Sequence, residues 1–350
     1  MFNYRQLISV VGFFFCMHVF SAQDLDQSTL KNPQPFGVNL AGAEFGGGEM
    51  PGEFGKKYIY PTEVDLDYFL DNGIHLIRLP FKWERLQHDL NASLNPEELL
   101  RLTTFMEAAR ERDMLVILDL HNYARRQVNG ETFVIGTGPV EVEHLTDFWK
   151  RLAIELKTYK PTIYGFALMN EPYGLNHPSE WFEMAQSSIY GIREVDQETT
   201  ILVGGNDWSS AERWVEQSDT LKYLFDPNDN LIFEAHVYFD NDASGAYRGS
   251  YDEEMATPYI GIERIQPFVN WLRVNDFRGF VGEYGVPGDD ERWLVAMDNF
   301  LSYLQRNNIN ATYWAGGPWW GNYKLSIMPD KNGEKPQMKV FRKYLYTMPE

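Results

Sequence analysis

Two glutamates in this chain stand where an apolar run gives way to a turn: Glu171 ends ALMNE just before Pro172, and Glu283 ends GFVGE before Tyr284 and Gly285. Two carboxylic acids facing each other across a sugar are what glycosidic cleavage needs. One hands a proton to the departing oxygen while the other attacks or activates water. A gap of about 5–5.5 Å between the carboxyl groups gives direct attack and retention, and about 6.5–9.5 Å gives inversion. The sequence does not measure that gap. Arg78 at the end of HLIRLP and Tyr238 at the end of LIFEAHVY are candidate donors to an ionised acid, and donors to the charged form depress a carboxyl pKa. The partner acid must begin protonated, a state favoured by a like charge nearby. Spacing alone does not say which glutamate takes which part.

Other polar residues close apolar runs in the same way: Asp119 and His121 in MLVILDLH, Asn170 beside Glu171, His236 in LIFEAHVY and Trp314 in ATYWAGG. Arg78 could equally be a rim ion-pair residue, and His121 or His236 a satisfied core histidine. Asp119 and Glu234 lie two positions before these histidines, so they share a strand face one layer deeper. They are expected either to brace the rings or to form a buried ion pair with another strand. Trp208 in NDWSS, and Trp319 and Trp320 in GGPWWG, are candidate platforms for the apolar faces of pyranose rings, with plain packing as the alternative for each. His121, His236, Glu171 and Glu283 show no HExxH pairing, and a zinc site would leave Asn170 and Trp314 without a task, so no catalytic metal and no cofactor are expected.

These residues need elements that bring them together. Eight runs read as strands: 36–42, 75–80, 114–121, 164–171, 200–205, 231–238, 279–285 and 311–317. Helix signals separate them. The clearest are Asn95 as cap before Pro96 with Glu97 and Glu98 in the first turn, and Thr62 to Asn72 closed by Gly73. Continuously apolar strands alternating with helices predict an α/β fold, a single (β/α)8 TIM barrel, whose strand ends all open on one face. An open doubly wound sheet is the other arrangement, but no glycine-rich phosphate loop opens a helix. Residues 44–55, 122–140 and 239–258 are expected as long loops at the barrel mouth.

A net charge of −19 argues against nucleic acid and anionic membrane surfaces as partners. Residues 1–22 carry Arg5 as the one charge, then LISVVGFFFCMHVF, then Ser21 and Ala22. That is the pattern of a secretory signal peptide, too short in its apolar part to span a bilayer. Residues 23–33 are expected as a polar lead-in and 34–347 as the catalytic barrel. Cys16, the one cysteine, falls inside the signal, so the mature chain is expected without disulfides; a lipid anchor on Cys16 is the alternative. The mature protein is expected to be secreted, extracellular or periplasmic, off the membrane and monomeric.

LDLHNYAR (118–125), LMNEP (168–172), EAHVYFD (234–240), GEYG (282–285) and YWAGGPWWG (313–321) together resemble glycoside hydrolase family 5, and HNYAR with HVYFDNDASG is similar to its subfamily 5, rich in endo-β-1,4-glucanases. The resemblance runs from about Phe36 to Lys343. It implies Glu171 as acid/base, Glu283 as nucleophile, Asn170 on the sugar 2-hydroxyl, Arg78 and Tyr238 orienting Glu283, His121 and His236 lining the cleaved sugar's site, and Trp314 as its stacking floor. The implied function is a retaining endo-β-1,4-glucanase, a cellulase acting on a β-glucan polysaccharide or oligosaccharide. The alternatives are the same chemistry on mannan, xyloglucan, mixed-linkage or β-1,3-glucan, or a carbohydrate-binding barrel without catalysis.

Overall fold

The computed structural model describes residues 36–345. Its strands are β1 (Phe36–Leu40), β2 (Leu76–Phe81), β3 (Leu115–Leu120), β4 (Arg125–Val128), β5 (Glu131–Val134), β6 (Ile163–Ala167), β7 (Thr200–Gly204), β8 (Leu231–Tyr238), β9 (Gly279–Gly285) and β10 (Asn310–Gly316). Eight of them close into a parallel barrel in the order β1-β10-β9-β8-β7-β6-β3-β2. The expected TIM barrel is therefore the fold, and the doubly wound sheet is not. Helices Glu63–Asp71, Pro96–Glu111, Val142–Glu155, Pro178–Arg193, Ile260–Asn275 and Glu291–Arg306 fill most of the crossovers. Two begin as their sequences predict. The Asn95 side chain accepts from the Glu98 amide with Pro96 in the first turn, and Thr62 forms a capping box with Asp65.

The barrel is buried on both faces, and the two-residue strand period sorts what each face carries. Outward residues such as Val116, Leu118, Phe233, Val281 and Tyr284 pack into the layer between strands and helices. Inward, Leu76, Ile117, Ala167, Leu202, Ile232 and Phe280 form a separate apolar floor. Two residues further along their strands stand Arg78, Asp119 and Glu234, and two beyond those, His121 and His236. The barrel interior thus changes from apolar to charged within one side-chain layer, toward the end where the loops gather.

The break in this period that matters for the site lies in β9. Between β8 and β9 the register runs Ala235 opposite Val281 and then His236 opposite Glu283, so β9 carries an extra residue at Gly282. Without that bulge Glu283, an odd step from Phe280, would face the helices. With it, Gly282 and Glu283 both face inward.

Two expectations need correction. β6 ends at Ala167, so Asn170 and Glu171 lie in the loop beyond it and not in the strand. Backbone bonds from Leu168 to Leu202, from Asn170 to Leu120 and from Tyr123 to the Asn170 carbonyl still tie this segment to the barrel, and the chain turns away at Glu171, which takes a left-handed φ of 45° before Pro172. Residues 122–140 are not all loop: β4 and β5 pair as an antiparallel hairpin over Asn129 and Gly130, both at positive φ, the turn that Asn-Gly favours. The signal, the lead-in and Cys16 lie outside the described residues. Among the described residues no helix is long and apolar enough to cross a membrane.

Candidate active site

Arg78 is the hub of the charged layer. Completely buried, its guanidinium reaches Glu234 at 2.8 Å, Asp119 at 3.0 Å and Glu283 at 3.3 Å, and donates to the side-chain oxygens of Asn39 and Asn170, each at 2.9 Å. Burying a charge is tolerable only when it is paired and bonded like this. Burial opposes the charge on Arg78, but Asp119, Glu234 and Glu283 outweigh it and hold the group charged. Burial pushes Asp119 up to about 7 against the pull of Arg78. Glu234 is also penalised by burial, yet Arg78 and His236 keep it below its ordinary value.

Glu283 accepts from Arg78 on one oxygen and from the Tyr238 hydroxyl, at 2.7 Å, on the other. Both donors hold the carboxyl group in place in the barrel mouth. Tyr238 faces inward by the same alternation that places Glu234 and His236. The close approach also explains Gly282: a Cβ there would lie 2.2 Å from a Glu234 oxygen and 2.6 Å from His236 Nε2.

Across the mouth, Glu171 Oε1 lies 2.7 Å from His236 Nδ1, while His236 Nε2 faces Glu234 at 3.2 Å. Burial lowers the affinity of this ring for a proton, but Glu283, Glu171 and Glu234 more than reverse that and take it up to about 10. Glu171 itself is raised, first by burial and then by the negative charge of Glu283, with His236 pulling the other way. One oxygen from Glu171 and one from Glu283 lie within 4.8 Å of each other. Of the two acids, Glu171 is therefore placed to keep its proton and Glu283 is surrounded by donors.

The histidines differ in state. His121 Nδ1 donates to Asp119 at 2.8 Å, leaving Nε2 to accept from the Tyr123 hydroxyl at 3.0 Å and from the Asn170 amide at 3.3 Å. Burial, then Lys82 and Arg78, hold His121 well below its usual range, so this ring is neutral. Asp119 and Glu234 thus brace the histidines and pair with Arg78 at once; the two readings of the sequence are both realised. Trp314 lies nearly parallel to His121, with 5.6 Å between centroids and 14° between planes.

The flanking tryptophans separate. Trp320 meets Trp314 edge-on at 5.9 Å, packs edge-on to Phe45 and stacks on Tyr323. Trp319 is half exposed, and no ring contact ties it to this group. On the opposite side Trp208 stacks face to face on Tyr173, at 3.7 Å and 9°, and the Arg125 guanidinium covers the other face of Tyr173 at 3.7 Å. Trp208 sits at φ 63° between Asp207 and Ser209, both also left-handed. It borders a cavity of about 550 Å³ shared with Glu171, His236, Tyr238 and Tyr123.

Sequence reasoning overlooked Asn39, Tyr123, Arg125 and Tyr173. Asn39 had a signal, an amide in the middle of the buried run FGVNL; it bonds Arg78 and spans to the Gly282 carbonyl at 2.8 Å. Tyr123 and Arg125 stood within a quoted motif but were given no task.

The cellulase (glycosyl hydrolase family 5) model matches residues 34–319. A probable endo-β-1,4-glucanase B of Neosartorya fischeri is 34% identical over 85% of this chain and 86% of its own length. The Pseudomonas stutzeri endoglucanase Cel5A in complex with cellobiose is 42% identical, covering 89% of this chain and 92% of that one, with a TM-score of 0.82. An endo-β-1,4-glucanase of Xanthomonas axonopodis pv. citri is 35% identical over 89% of this chain and 98% of that one, with a TM-score of 0.80.

Proposed function

The chain belongs to glycosyl hydrolase family 5, and on that premise we propose that it is a secreted endo-β-1,4-glucanase that cleaves internal bonds with retention of configuration. The observation that carries retention is the gap of at most 4.8 Å between oxygens of Glu171 and Glu283, in keeping with the carboxyl spacing of about 5–5.5 Å for direct attack and short of the about 6.5–9.5 Å that admits a water.

Glu283 attacks the anomeric carbon as Glu171 protonates the leaving oxygen, giving a glycosyl ester on Glu283. Once that ester forms, the negative charge that raised Glu171 is gone. Its pKa falls, and the carboxylate can then take a proton from the water that hydrolyses the ester. Asn170, fixed by Arg78, is placed to hold the sugar 2-hydroxyl as positive charge develops. Trp314 lies beside the cleaved sugar, and Trp320 and Trp208 extend the cleft on either side.

Proton NMR of products released from cellopentaose tests retention, since the β-anomer must appear first. Initial α-product would discard Glu283 as nucleophile. Rates on carboxymethyl cellulose, mixed-linkage glucan, mannan and xyloglucan test the substrate, and faster turnover of mannan or xyloglucan would replace the glucanase reading. Secretion rests on residues 1–22, and a mature terminus near Ser21 or Ala22 on exported protein is the expected result. A monomer is expected by light scattering.

A further inference from the structure

We propose that Arg213 and Asp242 set specificity on the leaving side of the cleft, as a donor and an acceptor for hydroxyls of the second glucose unit beyond the cleaved bond. This rests on the glycosidase reading above and adds to it how far the glycan must extend. Glu171 and Trp208 line the cavity of about 550 Å³ and Glu283 does not, so the cavity lies on the side where the protonated oxygen departs. Tyr123 bridges the two regions: its hydroxyl bonds His121 at 3.0 Å, and its ring meets Trp208 edge-on at 6.0 Å. The first leaving sugar has its place against these rings. Past them the lining turns polar, with Ser210, Glu212 and Arg213 on one loop and Asp242 and Ser244 on another.

Both loops are fixed before a glycan arrives. Ser210 bridges to His236 at the end of β8, and Ala211 N–H bonds the His236 carbonyl at 3.2 Å. Arg264 joins the loops, donating to the carbonyls of Tyr238, Asp240 and Asn241 and reaching Glu212 at 3.5 Å. Such preorganisation lowers the ordering cost of binding. Glu212 is thereby engaged, whereas Arg213 and Asp242 keep capacity. Arg213, about half exposed, meets Asp207 at 2.9 Å through one terminal nitrogen, which leaves most of its five N–H groups to donate. Asp242 accepts from the Ser244 amide at 3.2 Å and from Arg248 at 2.8 Å. Hydrogen bonds from Ser244 and then Arg248 hold it below the usual carboxylate range, so it serves as an acceptor with lone pairs to spare. A guanidinium and a carboxylate bordering one slot suit neighbouring hydroxyls of a neutral sugar, since each hydroxyl can accept from the first or donate to the second.

Cellotetraose labelled with carbon-13 in its reducing-end unit tests the pair. Labelled cellobiose counts cuts with two sugars on the leaving side, and labelled glucose counts cuts with one. Cellobiose is expected to predominate with the wild-type protein. In Arg213→Met and in Asp242→Ala the label is expected to move toward glucose, and KM for cellotetraose to rise roughly 2- to 12-fold, the range of one ordinary hydrogen bond. The loss should be larger on cellotetraose than on cellobiosyl fluoride, which carries no sugar on the leaving side. An unmoved label in both variants overturns the pair. So does an Asp207→Asn variant that shifts the label as far as Arg213→Met, because Arg213 would then act by tethering the turn that carries Trp208. If one of the two variants melts early, the other decides. Wild-type protein that turns over neither substrate would overturn the glucanase reading itself, so the two failures are told apart.

Discussion

His236 lies 2.7 Å from Glu171 on one ring nitrogen and 3.2 Å from Glu234 on the other, so a single imidazole ring is clasped between two glutamate carboxyl groups. Burial works against its charge, but the surrounding acids take its pKa up to about 10 from an ordinary 6.5. A group whose folded pKa is raised contributes stability that is complete below the unfolded value and is lost as pH climbs through the folded one. The melting temperature is therefore expected to decline from about pH 6.5 to about pH 10. In His236→Gln that decline should be shallower, and identical slopes in calorimetry would show that the proton is not held there.

Glu171 is raised by burial and then by the charge of Glu283. If Glu171 is the general acid, as proposed, it must be protonated, and the alkaline limb of kcat/KM should lie above the pH at which an ordinary glutamate ionises. Glu283→Gln removes the second cause, so the Glu171 carboxyl should titrate at lower pH in that variant, read by carbon-13 NMR of labelled glutamate. A titration that stays in place would mean the two carboxylates do not sense each other.

The Tyr238 hydroxyl is one of two side-chain donors to Glu283. Hydrogen bonds to charged groups are worth about 1.5–3 kcal/mol, roughly 10- to 150-fold in rate if the bond matters at the transition state. Tyr238→Phe is expected to cut kcat/KM on cellopentaose within that range while the melting temperature changes little. Unaltered kinetics would leave Tyr238 as packing.

The barrel and most of this cleft were legible because the relevant signals are local. Each strand is an apolar run, and Arg78, Asp119, His121, His236 and Tyr238 follow from counting in twos along it. What escaped depends on departures from that count. Glu171 was read as a strand residue, whereas the strand stops at Ala167 and a left-handed turn presents the acid. Glu283 faces inward through a bulge whose existence depends on pairing with β8, a neighbour the local sequence does not name. The stack of Arg125, Tyr173 and Trp208 joins three segments remote in the chain, so no single motif contains it.

That stack yields its own prediction. Arg125 donates to the carbonyls of Tyr123 and Tyr173 at 2.7 and 2.8 Å and sits over the Tyr173 ring, whose other face carries Trp208. Loss of such a cation–π support costs about 0.5–2 kcal/mol, or roughly 2- to 30-fold in binding. Arg125→Met is expected to raise KM for cellopentaose by that order. Turnover of cellobiosyl fluoride, which has no sugar on the leaving side, should be unaffected. Equal losses on both substrates would place Arg125 in support of Glu171 instead of the Trp208 platform.

Gly282 is the position where the least addition should do the most harm. A methyl group there meets Glu234 and His236 at 2.2 and 2.6 Å, and neither can retreat freely, since Arg78 holds one and Glu171 and Glu234 hold the other. Relief must come from shifting the bulge, which carries Glu283. Misplacing a catalytic group by about 1 Å can cost about 100-fold in rate. Gly282→Ala is accordingly expected to lower kcat by about that factor while circular dichroism still shows a folded barrel. A variant with wild-type kcat would mean that β9 tolerates the side chain without moving Glu283, and the bulge would then be a feature of the strand, not the device that aims Glu283.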